Sequence, residues 1–166
     1  MLSLKNSPWL EKKYIDPAHL KSATKALRDH GLTIATLNGS FDLLHAGHLY
    51  ILHQASLQAD CLIVALNTDE SIRSYKSPTR PIVTLQHRLE MIAALEFVEY
   101  VTIFDEVNPC ELLKQINPDV HVNGKEYGSE CVEAKTVAEI GARLHLVDRI
   151  PTLATSTLIE KIRQCV

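Results

Sequence analysis

Six consecutive apolar residues, Cys61-Leu62-Ile63-Val64-Ala65-Leu66, restrict this chain more than anything else in it. The run has no polar alternation, so a strand built from it faces water on neither side. Such a strand sits inside a parallel sheet, with helices packed above and below. The segments before it supply a helix, a strand and a second helix. Asp16-Pro17 offers a cap followed by proline at the first helical position. Leu20, Ala23, Ala26 and Leu27 mark one face of the helix, and Gly31 stops it. Residues 32–37 form a short β-type run that ends at Asn38-Gly39-Ser40. A second helix begins near Gly47, with Leu49, Leu52, Ala55 and Leu57 roughly on one side, while residues 1–15 show no clear periodicity.

Beyond the apolar run the alternation continues. Ser77-Pro78 and Arg80-Pro81 mark a loop, and Thr84 caps a helix carrying Leu85, Leu89, Ile92, Ala93 and Leu95. Strands are expected over 98–104, 120–122 and 144–147, between helices over 109–116, 132–140 and 155–163. Thr157 and Glu160 in the last helix are spaced like a capping box. A helix and a strand about every 30 residues predict a single α/β domain with a Rossmann-like, doubly wound parallel sheet. The expected division is an N-terminal extension and helix over 1–31, packed on a domain over 32–166.

Composition narrows the partners. The 166 residues suffice for one core, and 46% hydrophobic with 22% charged residues suits a folded soluble protein. A formal charge of -3 gives no reason to expect nucleic acid, although a pocket can be basic on an acidic protein. No apolar run approaches the roughly 18 residues of a membrane span, and the first residues lack the apolar stretch of a signal peptide. Cys61, Cys110, Cys131 and Cys165 form no CxxC pair. They read as reduced, space-filling thiols, which suits a cytoplasmic location.

Ligands of such a sheet bind at the carboxyl ends of its strands, beside the point where strand order reverses. The first strand runs straight into Asn38-Gly39-Ser40-Phe41-Asp42-Leu43-Leu44-His45-Ala46-Gly47-His48. Gly39 lets the backbone approach a ligand, and Gly47 lets the helix start press against one. The opening amides of that helix are expected to face outward, unpaired and partially positive, where a phosphate is well placed. His45 and His48, three apart, are positioned to point at one anion. Fixed donors there suit a displacement in which a phosphate oxygen expels pyrophosphate from an α-phosphorus, with positioning supplying much of the rest. Metal ligation is the other chemical reading of two such histidines, but no third ligand has convincing spacing, and no protein metal site is expected. His19, His30, His53, His121 and His145 read as surface or satisfied core residues.

The string His45-Ala46-Gly47-His48 after Gly39-Ser40-Phe41-Asp42-Leu43-Leu44 resembles the HxGH signature of the cytidylyltransferase-like nucleotidyltransferases. The likeness continues through Leu66-Asn67-Thr68-Asp69-Glu70-Ser71-Ile72, Lys76, Arg80-Pro81, Gln86-His87-Arg88, Pro118-Asp119-Val120 and Thr155-Ser156. Within that family the stretch from Asn67 to Glu106 is most similar to bacterial heptose 1-phosphate adenylyltransferases, with glycerol 3-phosphate cytidylyltransferases next. The resemblance implies transfer of a nucleotidyl group, AMP favoured, from a nucleoside triphosphate to a small phosphorylated sugar or polyol. It implies that His45 and His48 hold the triphosphate and transition state, and that Lys76 lies in a basic loop bridging the two substrates. Gly39, Ser40, Phe41, Gly47, Gly124, Arg149, Thr155 and Ser156 would serve the nucleotide, with Gly124 equally readable as a turn residue, and Arg88 is a candidate phosphate contact, surface charge or dimer contact. Mg2+ would arrive with the triphosphate, and a homodimer is expected. A nucleotide-binding module without turnover is the alternative of another class. Ala154, in place of the first serine of the family's terminal Ser-Thr-Thr, and Asn123 motivate it. Leu37 in place of a threonine is a further departure, and Asn123-Gly124-Lys125-Glu126-Tyr127 in place of the heptose enzymes' Lys-Gly-Gly-Asp-Tyr moves the positive charge by two positions and bears on the acceptor.

Overall fold

The structure, a computed structural model, describes residue 2, residues 7–148, residue 150 and residues 154–165. Its centre is a sheet of β1 (Ile34–Gly39), β2 (Cys61–Asn67), β3 (Tyr100–Phe104), β4 (Val120–Gly124) and β5 (Arg143–Val147). All pairings are parallel, in the order β3-β2-β1-β4-β5. The chain therefore builds outward from β1 in one direction, then returns to the other side of β1 with β4. That reversal leaves a crevice at the carboxyl ends of β1 and β4.

The six-residue apolar run forms β2, buried along its whole length. Its side chains alternate between two cores. Leu62, Val64 and Leu66 join Ala35, Leu37, Val120 and Val122 on one face, against Leu52 and Ala55 of α3 (Ala46–Ser56) and Leu89, Ile92 and Ala93 of α5 (Leu85–Ala93). Cys61, Ile63 and Ala65 join Ile34 on the other, against Leu20 of α2 (Leu20–Asp29) and Leu112 and Ile116 of α6 (Cys110–Ile116). Each fully buried Leu, Ile or Val contributes about 2 kcal/mol relative to exposure. Cys61, Cys110, Cys131 and Cys165 are all free thiols. Among the described residues no helix is long and apolar enough to cross a membrane.

Several local expectations need correction. The segment without periodicity contains α1 (Pro8–Lys13), pinned to α5 by Ser7 Oγ donating to Glu90, Trp9 Nε1 to the Glu90 carbonyl and Lys13 Nζ to the Leu95 carbonyl. Tyr14 then bridges to Val101 of the edge strand β3. The sequence reading has no helix before Ser77-Pro78, yet α4 (Asp69–Tyr75) forms there. Thr68 Oγ1 accepts from the Ser71 amide and caps it, and Asp69 and Glu70 oppose the dipole in its first turn. Thr84 does occupy the N-cap position of α5, but its hydroxyl lies near His87 Nδ1 rather than on an amide. Thr157 and Glu160 lie inside α8 (Thr155–Gln164), whose N-cap is Ala154, so they form no capping box. The remaining elements are α7 (Ala134–Glu139) and short 3₁₀ turns at Pro17–His19 and Lys125–Tyr127.

His121, expected to be a satisfied core residue, is satisfied on one nitrogen alone. Nδ1 meets Thr36 Oγ1 at 2.9 Å, whereas the buried Nε2 has no hydrogen-bond partner among the described residues. Burial pushes its pKa from 6.5 down to about 4. The unfolded chain therefore takes up this proton first as pH falls. The stability that His121 carries as a neutral ring is complete above pH 6.5 and drains away toward pH 4. Between pH 7 and 4.5 the loss from this group should be roughly 2 to 3 kcal/mol. Urea unfolding of the wild type and His121→Val at both pH values measures it. The variant should show a flatter pH dependence, and an unchanged slope would contradict the assignment.

Candidate active site

The loop leaving β1 turns sharply to reach α3. Phe41 (φ 46) and Leu43 (φ 54) both adopt left-handed backbone that L-residues enter at a cost of about 1 kcal/mol or more. Between them the turn drops Asp42 inward, where it is 0% exposed. Burial alone would raise its carboxyl pKa. The Val83 and Ile82 amides and the Arg80 guanidinium outweigh that and hold it below the usual carboxylate value. At Gly39 an added Cβ would meet the Phe41 ring at 3.3 Å, so the strand end and the turn fit closely.

His45 ends the turn in extended backbone and caps α3. Its Nδ1 accepts from the amides of Gly47 (3.1 Å) and His48 (3.3 Å). The expectation of a bare helix tip is thus corrected: two of the opening amides are already engaged by an imidazole. The two rings also do not flank a gap. They stack, with centroids 3.8 Å apart and planes 20° from parallel, and Phe41 meets His48 edge-on at 5.5 Å. Burial, then the electrostatic influence of the adjacent His45 and of Lys76, pushes the His48 pKa down to about 4. His48 is therefore neutral at pH 7. Its Nδ1 is buried without a hydrogen-bond partner among the described residues.

Lys76 approaches from the loop after α4, its Nζ donating to Ser40 Oγ at 2.9 Å and lying 5.6 Å from the Tyr75 ring centre. Burial, then repulsion from Arg80, lowers its pKa. With the histidine pair it lines a cleft of about 500 Å³ at the β1/β4 crevice. Gly39, Ser40, Phe41, Gly47, Gly124, Thr155 and Ser156 line the same cleft. Gly124 has ordinary extended backbone (φ -71), so it is not there for a turn. A Cβ there would meet the Glu126 carboxylate, the far end of a flexible side chain that can swing aside. The Thr155 hydroxyl donates to the Asp42 carbonyl at 2.9 Å and ties α8 to the β1–α3 loop. Arg149 lies outside the described residues.

Arg88 is neither a surface charge nor part of the cleft wall. It is 0% exposed and donates to the carbonyls of Ser40 (2.6 Å), Asn67 (2.9 Å) and Val83 (3.0 Å) and to Asp69 Oδ1 (2.7 Å). A guanidinium so engaged holds the strand ends beneath the cleft rather than waiting for a phosphate. Sequence reasoning gave no role to Asp42, Arg80, Asn123, Glu126 or Asp148, although Arg80, Asn123, Glu126 and Asp148 also line the cleft. Asn123 is held by Glu133 Oε2 at 3.3 Å, and Asp148 pairs with Lys125 at 2.9 Å. Among the described residues no cluster of three or more His, Cys, Asp or Glu is arranged to hold a metal.

The fold and site define a doubly wound α/β protein in which the HxGH motif, with its capped helix start and stacked imidazoles, meets the Lys76 ammonium at the switch point of the sheet. The cytidylyltransferase-like family model matches residues 36–162, and the chain belongs to that family. It is 40% identical over 144 residues to the bifunctional protein HldE of Syntrophotalea carbinolica, spanning 86% of this chain and 29% of the relative. Against the bifunctional protein HldE of Ectopseudomonas mendocina it is 40% identical over 154 residues, 92% of this chain and 33% of the relative. The chain thus spans about a third of the length of the curated relatives it matches. Among solved structures it is similar to the lipopolysaccharide core biosynthesis protein of Thermoplasma volcanium, with TM-score 0.58 and 25% identity over 72% of this chain and 98% of the other. Pantoate-β-alanine ligase of Francisella tularensis shares the fold, with TM-score 0.63 and 15% identity over 92% and 79% of the two chains.

Proposed function

We propose that this cleft transfers a nucleotidyl group, AMP in the favoured reading, from a nucleoside triphosphate to a sugar phosphate such as heptose 1-phosphate, releasing pyrophosphate. The observation that carries the proposal is the meeting of the His45–His48 pair and Lys76 in one cleft at the carboxyl end of β1. The roughly 40% identity to the HldE proteins supports the sugar phosphate as acceptor. Mg2+ enters as part of the triphosphate substrate.

The chemistry asks little of a base. An ionised phosphate oxygen of the acceptor attacks the α-phosphorus, the bond from that phosphorus to the bridging oxygen breaks, and the electron pair leaves with pyrophosphate. No proton has to be removed from the nucleophile. What the site must supply is alignment and stabilisation of the charge that grows on the equatorial and leaving oxygens. A neutral His48 donates a hydrogen bond there without adding to the repulsion around Lys76, and the ammonium supplies the fixed positive charge.

The test is pyrophosphate release from ATP and from CTP, each against heptose 1-phosphate and glycerol 3-phosphate. Release with ATP and heptose 1-phosphate, at least tenfold faster than with the other combinations, is the expected result. Preference for CTP with glycerol 3-phosphate would move the protein to the polyol branch of the family. Nucleotide binding with no release in any combination would establish a module without turnover, for which the missing hydroxyl at Ala154 is the motivating feature.

A further inference from the structure

We infer that Asp42 is a positioning residue that sets Lys76 over the cleft by locking the 76–83 segment in place through Arg80; this rests on the transferase reading above. Between the end of α4 and the start of α5 the chain has no regular structure to hold it. Within the segment itself the Arg80 amide donates to the Ser77 carbonyl and the Ser77 and Thr79 hydroxyls meet. Beyond Lys76 itself, its far end is anchored to the rest of the domain by two buried charges. Asp42 Oδ2 receives Arg80 Nε at 2.7 Å and Arg80 Nη2 at 2.6 Å, and the Ile82 and Val83 amides reach the same carboxylate at 2.9 Å each. Arg88 Nε takes the Val83 carbonyl. One residue, Val83, is thereby held by an anion on its N–H and a cation on its C=O.

Asp42 sits in a strained turn. It stands between two residues, Phe41 and Leu43, whose backbone is left-handed. Such strain persists where surrounding bonds over-determine it, and here those bonds come from residues 80–83 and, on the Asp42 carbonyl, from Thr155. Asp42 joins the β1–α3 loop, the lysine loop and the start of α8. Fully buried, with both oxygens bonded, it touches no substrate and removes no proton. The Lys76 amide closes α4 on the Ile72 carbonyl, but among the described residues its ammonium donates one hydrogen bond, to Ser40 Oγ, so the direction of the side chain depends on the segment that follows it.

A mutant cycle decides this. Asp42→Asn keeps an acceptor for the amides but loses the charge that orders Arg80. It should lower kcat/KM about 30-fold in the wild-type background and less than about threefold beside Lys76→Ala, because the lysine it positions is already gone. Hydrogen exchange on the unliganded protein should show the Ile82 and Val83 amides exchanging at least about tenfold faster in Asp42→Asn. If Asp42→Asn does not fold, Arg80→Gln, at the more exposed end of the pair, replaces it in both measurements. Effects that multiply in the cycle, or unchanged exchange over 76–83, would overturn the inference. A wild type that binds triphosphate but releases no pyrophosphate would defeat the transferase reading instead, and the exchange measurement would still decide the mounting.

Discussion

His48→Ala is expected to lower kcat by about a hundredfold or more while leaving the melting temperature nearly unchanged. The ring lies at the cleft, stacked on His45, and makes few bonds that the fold relies on. Its contribution is a neutral donor aimed at charge that develops only in the transition state, so its loss should appear in kcat rather than KM. His48→Asn, which keeps a neutral N–H donor, should retain more activity than the alanine variant. The pH profile tests the charge state separately. With its pKa near 4, below the ordinary 6.5, His48 is already deprotonated throughout pH 6 to 8. The free enzyme's kcat/KM should therefore show no acid limb near 6.5 from this group. His45→Ala should cost comparable activity and, in addition, about 1 kcal/mol of stability, since it removes the cap on two amides of α3. Near-normal turnover in His48→Ala would remove the proposed mechanism.

The parts of this molecule that follow a period were legible in its sequence, and the parts that depend on distant loops were not. The unbroken apolar run at 61–66 is β2, and its burial on two faces required the parallel sheet and helices that the structure has. The glycine- and histidine-rich stretch after β1 does open α3 at the cleft. Its internal geometry was hidden, because a histidine three residues ahead of another is equally compatible with facing an anion or with capping the amides between them. Arg88 stood open between a phosphate contact and a charge on the helix surface. Its burial depends on Ser40 and Asn67, 48 and 21 positions away, and nothing in the spacing of α5 reports those carbonyls. Asp42 and Arg80, 38 positions apart, are similar: each sits in irregular chain, where no periodicity says which way a side chain points. α4 escaped notice because seven residues with one buried apolar side chain, Ile72, are too short to display a stripe, although its cap and acidic first turn stood in the sequence.

Arg88→Met tests how much of the domain's stability resides in that hidden cation. The substitution keeps most of the side chain's volume but leaves the carbonyls of Ser40, Asn67 and Val83 and the Asp69 carboxylate without the donor that now serves them. Removing one partner from a buried charge network typically costs about 3 to 5 kcal/mol. For a chain of this size each kcal/mol shifts Tm by about 2 to 4 °C, so a loss on the order of 10 °C is expected by calorimetry. Arg88→Lys should recover only a small part of it, because a single ammonium cannot reach acceptors that a guanidinium spans from two sides. The surface pair of Lys25 and Asp29, at the same ionic distance class (2.6 Å against 2.7 Å) but with side chains 71% and 58% exposed, is the internal control. Lys25→Ala should move Tm by less than about 2 °C, since water replaces what the pair gives up. Activity should follow the first change and not the second. Ser40, whose carbonyl Arg88 holds, also receives Lys76 through its hydroxyl, so loosening the strand end moves the ammonium above it. An Arg88→Met protein that melts within about 2 °C of the wild type would mean that the network is dispensable and that the cleft stands on its packed strands alone.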